Sequence, residues 1–515
     1  MDVNSDPSSF PTGTSEAAGI ADFYRGRSVL VTGASGFMGK VLVEKLLRSC
    51  PEVEAVFVLL RPKAVRGELQ REPLGVHERL QRILATPVFD GLRRSRPEAL
   101  AKVTAVAGDM SAPGLGLSPL DRARIRAAVT VVFHVAATVR FNEHLRMAFQ
   151  INVQGTRAVL DLCREIPGLA ALVHMSTAYC NCIRKDATGE VVYPAPTTAD
   201  ALQSELDRRD DKQVEEDTAS LIGGYVNTYT FTKAVAENVV LEEGVGLPVA
   251  IVRPSIVCPS VREPFPGWVD SLNGAVGPWV AIGMGTLSCI YGDFDKVADV
   301  VPVDVCINLT VAAAWGCAAG DARDLTVYNC VTGATAPITW ARLTALWVEA
   351  TRRRPFARSL WMPAINFTTS RLYHRLCTAL GKTLPAHLVD LAAQAAGRKS
   401  PRMTHQVNRQ THMMKALDFF TTQEWPFTDD NVRSLWSRMD ARDREAFPFD
   451  VSTLDYEEYT KTNLYGTRKY LLKEQDSESS ILETRSRLRR MEAVYQMVVL
   501  LSVPLLVAGS LYTQL

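Results

Sequence analysis

Apolar residues in this chain gather into short unbroken runs separated by stretches of helical spacing. Ser28–Thr32 is the first run, and Ala55–Leu60, Val103–Ala107, residues 130–135, Ala171–Met175 and residues 248–252 repeat the form. Runs of five or six mostly branched residues, with no polar alternation, predict strands buried on both faces. Between them apolar residues recur three and four apart, as at Val41, Leu42, Leu46 and Leu47, or along a helix expected to open at Asn152 and end near Arg164. Strand and helix alternate through residues 28–180, which predicts an α/β fold built on a doubly wound parallel sheet. Residues 197–217 break the rhythm with eight acidic and few apolar positions, and read as a solvated excursion.

The first strand runs into Gly33, Gly36 and Gly39, with Ser35, Phe37 and Met38 between them. A strand, a glycine turn at spacing three and a helix start form a dinucleotide fingerprint. Gly33 serves the turn, Gly36 admits a pyrophosphate to the backbone, and Gly39 lets helix and strand pack closely. Free N–H groups at the helix start face the phosphates. In a Rossmann unit an acid after the second strand would hold the ribose 2′-hydroxyl. Here the strand ends in Arg61-Pro62-Lys63. A guanidinium fork suits a 2′-phosphate, so NADPH is expected rather than NADH. Further cofactor contacts are expected at the ends of later strands. Asp109, beside Met110, is placed to accept from the adenine amino group; Ala136 and Ala137 are small enough to let the cofactor lie on the backbone. The turn at Pro254 can close over the nicotinamide end. His134 and His174 sit inside strand patterns and read as core residues.

Tyr229 and Lys233 stand four apart, on one face of a helix. A phenol is a poor proton donor at neutral pH, and a neighbouring ammonium is expected to lower its pKa. The phenol would then protonate a carbonyl oxygen as hydride arrives at carbon, with a hydroxyl from Thr177 or Ser176 holding the same oxygen and the lysine also bonding the nicotinamide ribose. These four are the candidate catalytic residues.

The chain has 515 residues, 47% of them hydrophobic, and a net charge of +1. That is room for more than one core, and it points neither to nucleic acid nor to disorder. Ten dispersed cysteines without C-x-x-C argue against zinc or a disulfide framework and for a reducing compartment. Residues 1–25 carry acids, no apolar run and, before Arg25, no basic residue; they read as a loose arm and not a signal peptide. From Ala493 to Leu515 there is no charge, and Arg485, Arg487, Arg489 and Arg490 precede the run. A transmembrane helix over 492–513 is expected, with the bulk of the protein on the cytosolic side. Residues 475–491 would be the linker to it. Between Arg352 and Lys415 arginines and lysines face a single acid, Asp390, with apolar patches between them. Such a stretch suits anionic lipid headgroups or the phosphates of coenzyme A.

Several of these stretches together resemble the eukaryotic (insect-like) fatty acyl-CoA reductases. They are residues 32–48, residues 133–141 (Phe133-His134-Val135-Ala136-Ala137-Thr138-Val139-Arg140-Phe141), Tyr229 with Lys233, Arg253-Pro254-Ser255-Ile256-Val257, Pro337-Ile338-Thr339-Trp340 and the segments around 455–459 and 466–474. The resemblance implies a Rossmann reductase domain over 26–345, a mostly helical C-terminal domain over 346–474 and, often, a membrane anchor. It implies NADPH-dependent reduction of a long-chain acyl-CoA to a primary alcohol through a bound aldehyde. The alcohol would serve wax, pheromone or ether-lipid metabolism, at the endoplasmic reticulum or the peroxisome. By motif position Tyr229, Lys233 and Thr177 carry over as catalytic, Gly33, Gly36 and Gly39 as cofactor contacts, and Arg61 as the 2′-phosphate partner. Ser35 stands where the family often has Thr. Two other readings share part of this pattern: a reductase of a hydrophobic ketone such as a sterol, and a membrane protein that keeps NADPH as a structural ligand.

Overall fold

A computed structural model of the chain describes residues 19–62, 75–319, 325–395, 397, 403–474 and 477–512. Seven strands form one sheet: β1 Ser28–Thr32, β2 Ala55–Leu60, β3 Val103–Ala107, β4 Val129–His134, β5 Ala171–Met175, β6 Val249–Pro254 and β7 Thr326–Cys330. Their order is β3-β2-β1-β4-β5-β6-β7, and every pair is parallel. The order reverses between β1 and β4, the place where a doubly wound sheet opens a crevice at its carboxyl edge.

The unbroken apolar runs are explained by burial on both faces. Val29, Val31, Val56, Val58, Val131 and Phe133 enter one hydrophobic cluster, while Leu30, Phe57, Leu59 and Val132 enter the other. The helices that cover these faces and continue the chain are α1 Phe37–Ser49, α2 Val76–Leu84, α3 Pro119–Ala128, α4 Gly155–Arg164, α5 Ala199–Asp207, α6 Asp211–Leu221, α7 Thr228–Glu243, α8 Val276–Gly283 and α9 Val303–Ala319. The C-terminal part adds α10 Trp340–Arg353, α11 Arg371–Thr378, α12 Leu384–Ala395, α13 Met403–Lys415, α14 Asp430–Arg438, α15 Tyr456–Gly466 and α16 Glu478–Tyr512. This part does not stand apart from the sheet. Leu435, Met439, Phe447 and Phe449 belong to the cluster that contains Val31 and Phe133. A third cluster joins Trp279 of α8 to Trp347 of α10 and Tyr459 of α15, and the Trp347 indole donates to the Trp279 carbonyl at 2.7 Å.

The structure departs from the sequence reading at four places. Residues 197–217 are largely helical, because Thr198 and Asp210 cap α5 and α6, the latter through a full capping box. Leu202, Leu206 and Val214 then provide a narrow apolar stripe beneath the charges. The helix expected to open at Asn152 begins earlier, at Leu145, and reaches α4 through a π-turn over Gln150–Gln154. The arm is docked by its end: Ile20, Phe23 and Tyr24 are buried, and the Tyr24 hydroxyl donates to the Val311 carbonyl at 2.8 Å. Residues 1–18 lie outside the described residues. The expected linker is mostly α16, held against the body by an Arg354–Glu478 ion pair at 2.5 Å and by Arg487 donating to the Ser359 carbonyl at 2.8 Å.

The expected anchor, 492–513, falls on the later turns of α16, where the side chains of Tyr495 and of residues 498–515 lie outside the described residues. Among the described residues, no helix is long and apolar enough to cross a membrane.

Candidate active site

The turn after β1 is shaped by close backbone approach. Gly33 has φ +77°, and a Cβ there would lie 2.7 Å from the Ala136 nitrogen. At Gly39 a Cβ would lie 2.7 Å from the Ala34 Cα and would also meet the Gly33 carbonyl, so glycine lets α1 sit on the turn. Gly36 is different: a Cβ would meet only the Gly33 oxygen, at 3.3 Å, and otherwise open space. That is a single tight contact, unlike the several backbone clashes at Gly39. The start of α1 has no side-chain cap, so the N–H groups that follow Gly36 are available to an anion. Beneath the turn, Thr32 Oγ1 lies 2.9 Å from His134 Nδ1 and accepts from the Ala136 N–H at 3.2 Å. His134 Nε2 lies 3.0 Å from Thr156 Oγ1. Burial pushes the His134 imidazole down to about 3 and takes His174 well below its ordinary value, so both are neutral core residues.

One cleft of about 1760 Å³ runs along the carboxyl edge of the sheet. Pockets for a single small ligand are roughly 300–1,000 Å³, so this one has room for two extended molecules. All the predicted site residues line it. Gly33, Ser35, Gly36, Phe37, Met38 and Gly39 form its floor at β1, with Ala136 and Ala137 after β4. Met110 lines it while packing on Gly155, where a Cβ would lie 2.8 Å from its Cε. Arg61 and Asp109 close one end as an ion pair at 3.7 Å. Burial works against the Asp109 carboxylate, but hydrogen bonds from Ser111 and the Arg61 charge hold it below its usual value. Arg79 of α2, which the sequence reading missed, lines the same end and donates to the Arg61 carbonyl. Its helix carries no motif; only the fold brings it beside the end of β2.

Ser176, Thr177, Tyr229, Lys233 and Pro254 meet in the middle of the cleft. Asn227 caps α7, accepting from the Thr230 N–H at 2.8 Å, which places Tyr229 in the first turn. The Tyr229 ring stacks on Phe141, with centroids 6.0 Å apart and planes at 23°. Thr177 Oγ1 donates to the Pro254 carbonyl at 3.5 Å and accepts from the Tyr179 N–H at 3.3 Å. The Lys233 ammonium donates to the Met175 carbonyl at 2.6 Å.

The electrostatics differ from the sequence expectation. Burial pushes the Tyr229 phenol up to about 12, opposed by a hydrogen bond with Thr177. Burial also brings the Lys233 amine down to about 8, opposed by the charge of Glu237. The amine is turned to a strand carbonyl and the phenol is desolvated, so the phenol is not acidified. A phenol that stays protonated near neutrality is in the state a proton donor needs.

Beyond Tyr229 the cleft becomes apolar, lined by Trp279, Ile282, Ile290, Trp340 and Phe367, with Met413, Met414 and Leu417 on the side of α13. None of these was singled out from sequence as lining the site, since each looks like an ordinary core residue.

The family model described as Male sterility protein matches in two parts, an NAD-binding model over residues 31–310 and a C-terminal model over 382–474. Fatty acyl-CoA reductase 1 of Xenopus laevis is 42% identical over 458 residues, 89% of this chain and 87% of the relative. The chain belongs to the fatty acyl-CoA reductase family. Fatty acyl-CoA reductase 1 of Homo sapiens is 41% identical with the same coverage, and fatty acyl-CoA reductase 2 of Bos taurus is 37% identical over 92% of this chain and 90% of its own. Among solved structures, the terminal R domain of the myxalamid PKS-NRPS pathway matches with TM-score 0.55 and 18% identity, covering 88% of this chain and 93% of that one. The reductase domain of a Mycobacterium tuberculosis nonribosomal peptide synthetase matches with TM-score 0.56 and 17% identity, covering 86% and 91%. These two likenesses establish the fold of the reductase. The NAD-binding model spans the strand, turn and helix that carry Gly33, Gly36 and Gly39, all of which line the cleft.

Proposed function

We propose that this protein reduces long-chain fatty acyl-CoA to primary fatty alcohol and free CoA, using NADPH twice and keeping the aldehyde bound between the two reductions. The observation that carries the reading is the position of Tyr229 and Thr177, midway along a cleft with a glycine cradle on one side and apolar walls on the other. Membership of the reductase family supports it. A bound reduced nicotinamide supplies hydride. Tyr229 gives its proton to the oxygen of the thioester carbonyl, and Thr177 orients that oxygen. The hemithioacetal hydroxyl returns its proton to the Tyr229 phenolate as the C–S bond breaks and the carbonyl re-forms; the sulfur leaves as a thiolate that takes a proton from water to become CoA thiol, and the aldehyde stays beside the restored phenol for a second hydride and proton transfer. The Lys233 ammonium, bonded to the Met175 carbonyl, holds the helix of Tyr229 against the strand that leads to Thr177 through each transfer. Arg61 and Arg79 favour the 2′-phosphate of NADPH, because two guanidinium groups at one end of the cleft suit a dianion.

The uncharged run from Ala493 to Leu515 is the proposed membrane anchor, with the catalytic part on the cytosolic side of the endoplasmic reticulum or peroxisome. Exposed Leu372, Tyr373, Leu376 and Leu380, beside Arg371 and Arg375, support a position against lipid. The test is turnover: full-length protein in detergent, NADPH and palmitoyl-CoA, with products read by gas chromatography. Hexadecanol and free CoA are expected. Tyr229→Phe should abolish them while NADPH binding, followed by fluorescence, persists. Undiminished alcohol from Tyr229→Phe would refute the assignment.

A further inference from the structure

The cations that line the cleft are not equivalent. Lys40 is paired with Asp270, Arg61 with Asp109 and Arg140 with Glu143. Arg409 and Lys415 of α13 also line it, exposed, and neither side chain makes an ion pair or hydrogen bond with another described residue. The charge of Lys415 is felt only more distantly, at Asp418. The two stand six residues apart, with His412 midway and also lining the cleft. At 3.6 residues per turn the three spread over about a third of the helix circumference. Met413 and Met414 of the same helix also line the cleft, and Met413 packs over Gly277 near the start of α8. One helix therefore presents to the cleft both unpaired positive charge and two thioether side chains, Met414 buried and Met413 exposed.

We propose that Arg409 and Lys415 hold the phosphates of the coenzyme A moiety, and that the pantetheine thioester passes inward along Met413 and Met414 toward Tyr229. This rests on the acyl-CoA reading above. The ligand chemistry required is a polyanion joined to a long apolar chain, with the charge left at the solvent edge. A free cation on a wet rim gains from a phosphate without first breaking an internal ion pair. The cofactor has its own guanidinium groups, Arg61 and Arg79, so the two anionic ligands do not share cations. An anionic lipid headgroup has the same phosphate chemistry, and the experiment separates the two.

Full-length wild type is compared with the double variant Arg409→Ala, Lys415→Ala and with the charge-conserving Arg409→Lys, Lys415→Arg. The KM for palmitoyl-CoA should rise at least tenfold in the alanine variant and return to within threefold in the conservative one. The ratio of KM for palmitoyl-CoA to KM for hexadecanal, which has no phosphates, should rise by the same factor, and the KM for NADPH should move less than twofold. Free CoA, titrated calorimetrically, should bind wild type and lose at least tenfold in the alanine variant. That arm tests the rim even if turnover of acyl-CoA fails. Equal losses for palmitoyl-CoA and hexadecanal, no loss for either, or no binding of free CoA to wild type would each overturn the proposal. So would a defect confined to sedimentation with phosphatidylserine vesicles.

Discussion

The Lys233 ammonium is hydrogen-bonded to the Met175 carbonyl at 2.6 Å, and this bond ties the helix that carries Tyr229 to the strand that ends beside Thr177. The lysine is thus a strut between the helix and the strand as well as a charge. Its desolvation sets a pH limit.

With the Lys233 amine brought down to about 8, the ammonium is present below that pH and lost above it. Tyr229, at about 12, stays protonated across the same range. We expect kcat to fall as pH rises through 8, approaching tenfold per unit, and Lys233→Met to be slow with no such limb. Steady-state rates between pH 6 and 10 test this; an unchanged wild-type rate at pH 9.5 would contradict it.

Gly36 and Gly39 should fail differently. A Cβ at Gly39 meets backbone at 2.7 Å, whereas one at Gly36 meets only an oxygen at 3.3 Å. Gly39→Ala is expected to lower the thermal midpoint or prevent folding. Gly36→Ala should keep its melting temperature and weaken nucleotide binding by about tenfold, a change of ~1.4 kcal/mol. Differential scanning fluorimetry with and without NADPH separates the two effects.

Arg79 joins Arg61 at one end of the cleft by donating to the Arg61 carbonyl. Arg61→Ala and Arg79→Ala should each raise the KM for NADPH by about tenfold and leave that for NADH nearly unchanged. The double variant should lose most of its preference between the two. Equal effects on both nucleotides would place the 2′-phosphate elsewhere.

Arg253 and Glu237 form a buried two-pronged ion pair, with bonds of 2.8 and 2.6 Å and side chains 0% and 2% exposed. Cys180 also donates to Glu237, at 3.2 Å. Arg253→Met strands a carboxylate in the core and should cost about 3–5 kcal/mol. Adding Glu237→Met should recover much of that loss, because the uncompensated charge goes too. Denaturant midpoints of the single and double variants decide it.

The sheet, its glycine turn and the Tyr229–Lys233 pair were legible in the chain because each is local. A run of branched apolar residues needs burial on both faces, three glycines at spacing three need a tight turn, and residues four apart share a helix face. The helical state of residues 199–221 was signalled locally by Thr198 and Asp210, but the acidic composition outweighed those caps. Other features had no local signal. Arg79 reaches Arg61, and Met413 reaches Gly277, across intervals that only the path of the chain brings together. The pKa shifts of Tyr229, half-buried, and Lys233, buried, follow from the desolvation the fold imposes on each, which no spacing encodes. The sequence by itself therefore determined the buried strands, the glycine turn and the helix face shared by Tyr229 and Lys233. Tertiary structure decided their protonation, their neighbours and the second wall of the cleft, because those depend on desolvation and on contacts between distant segments.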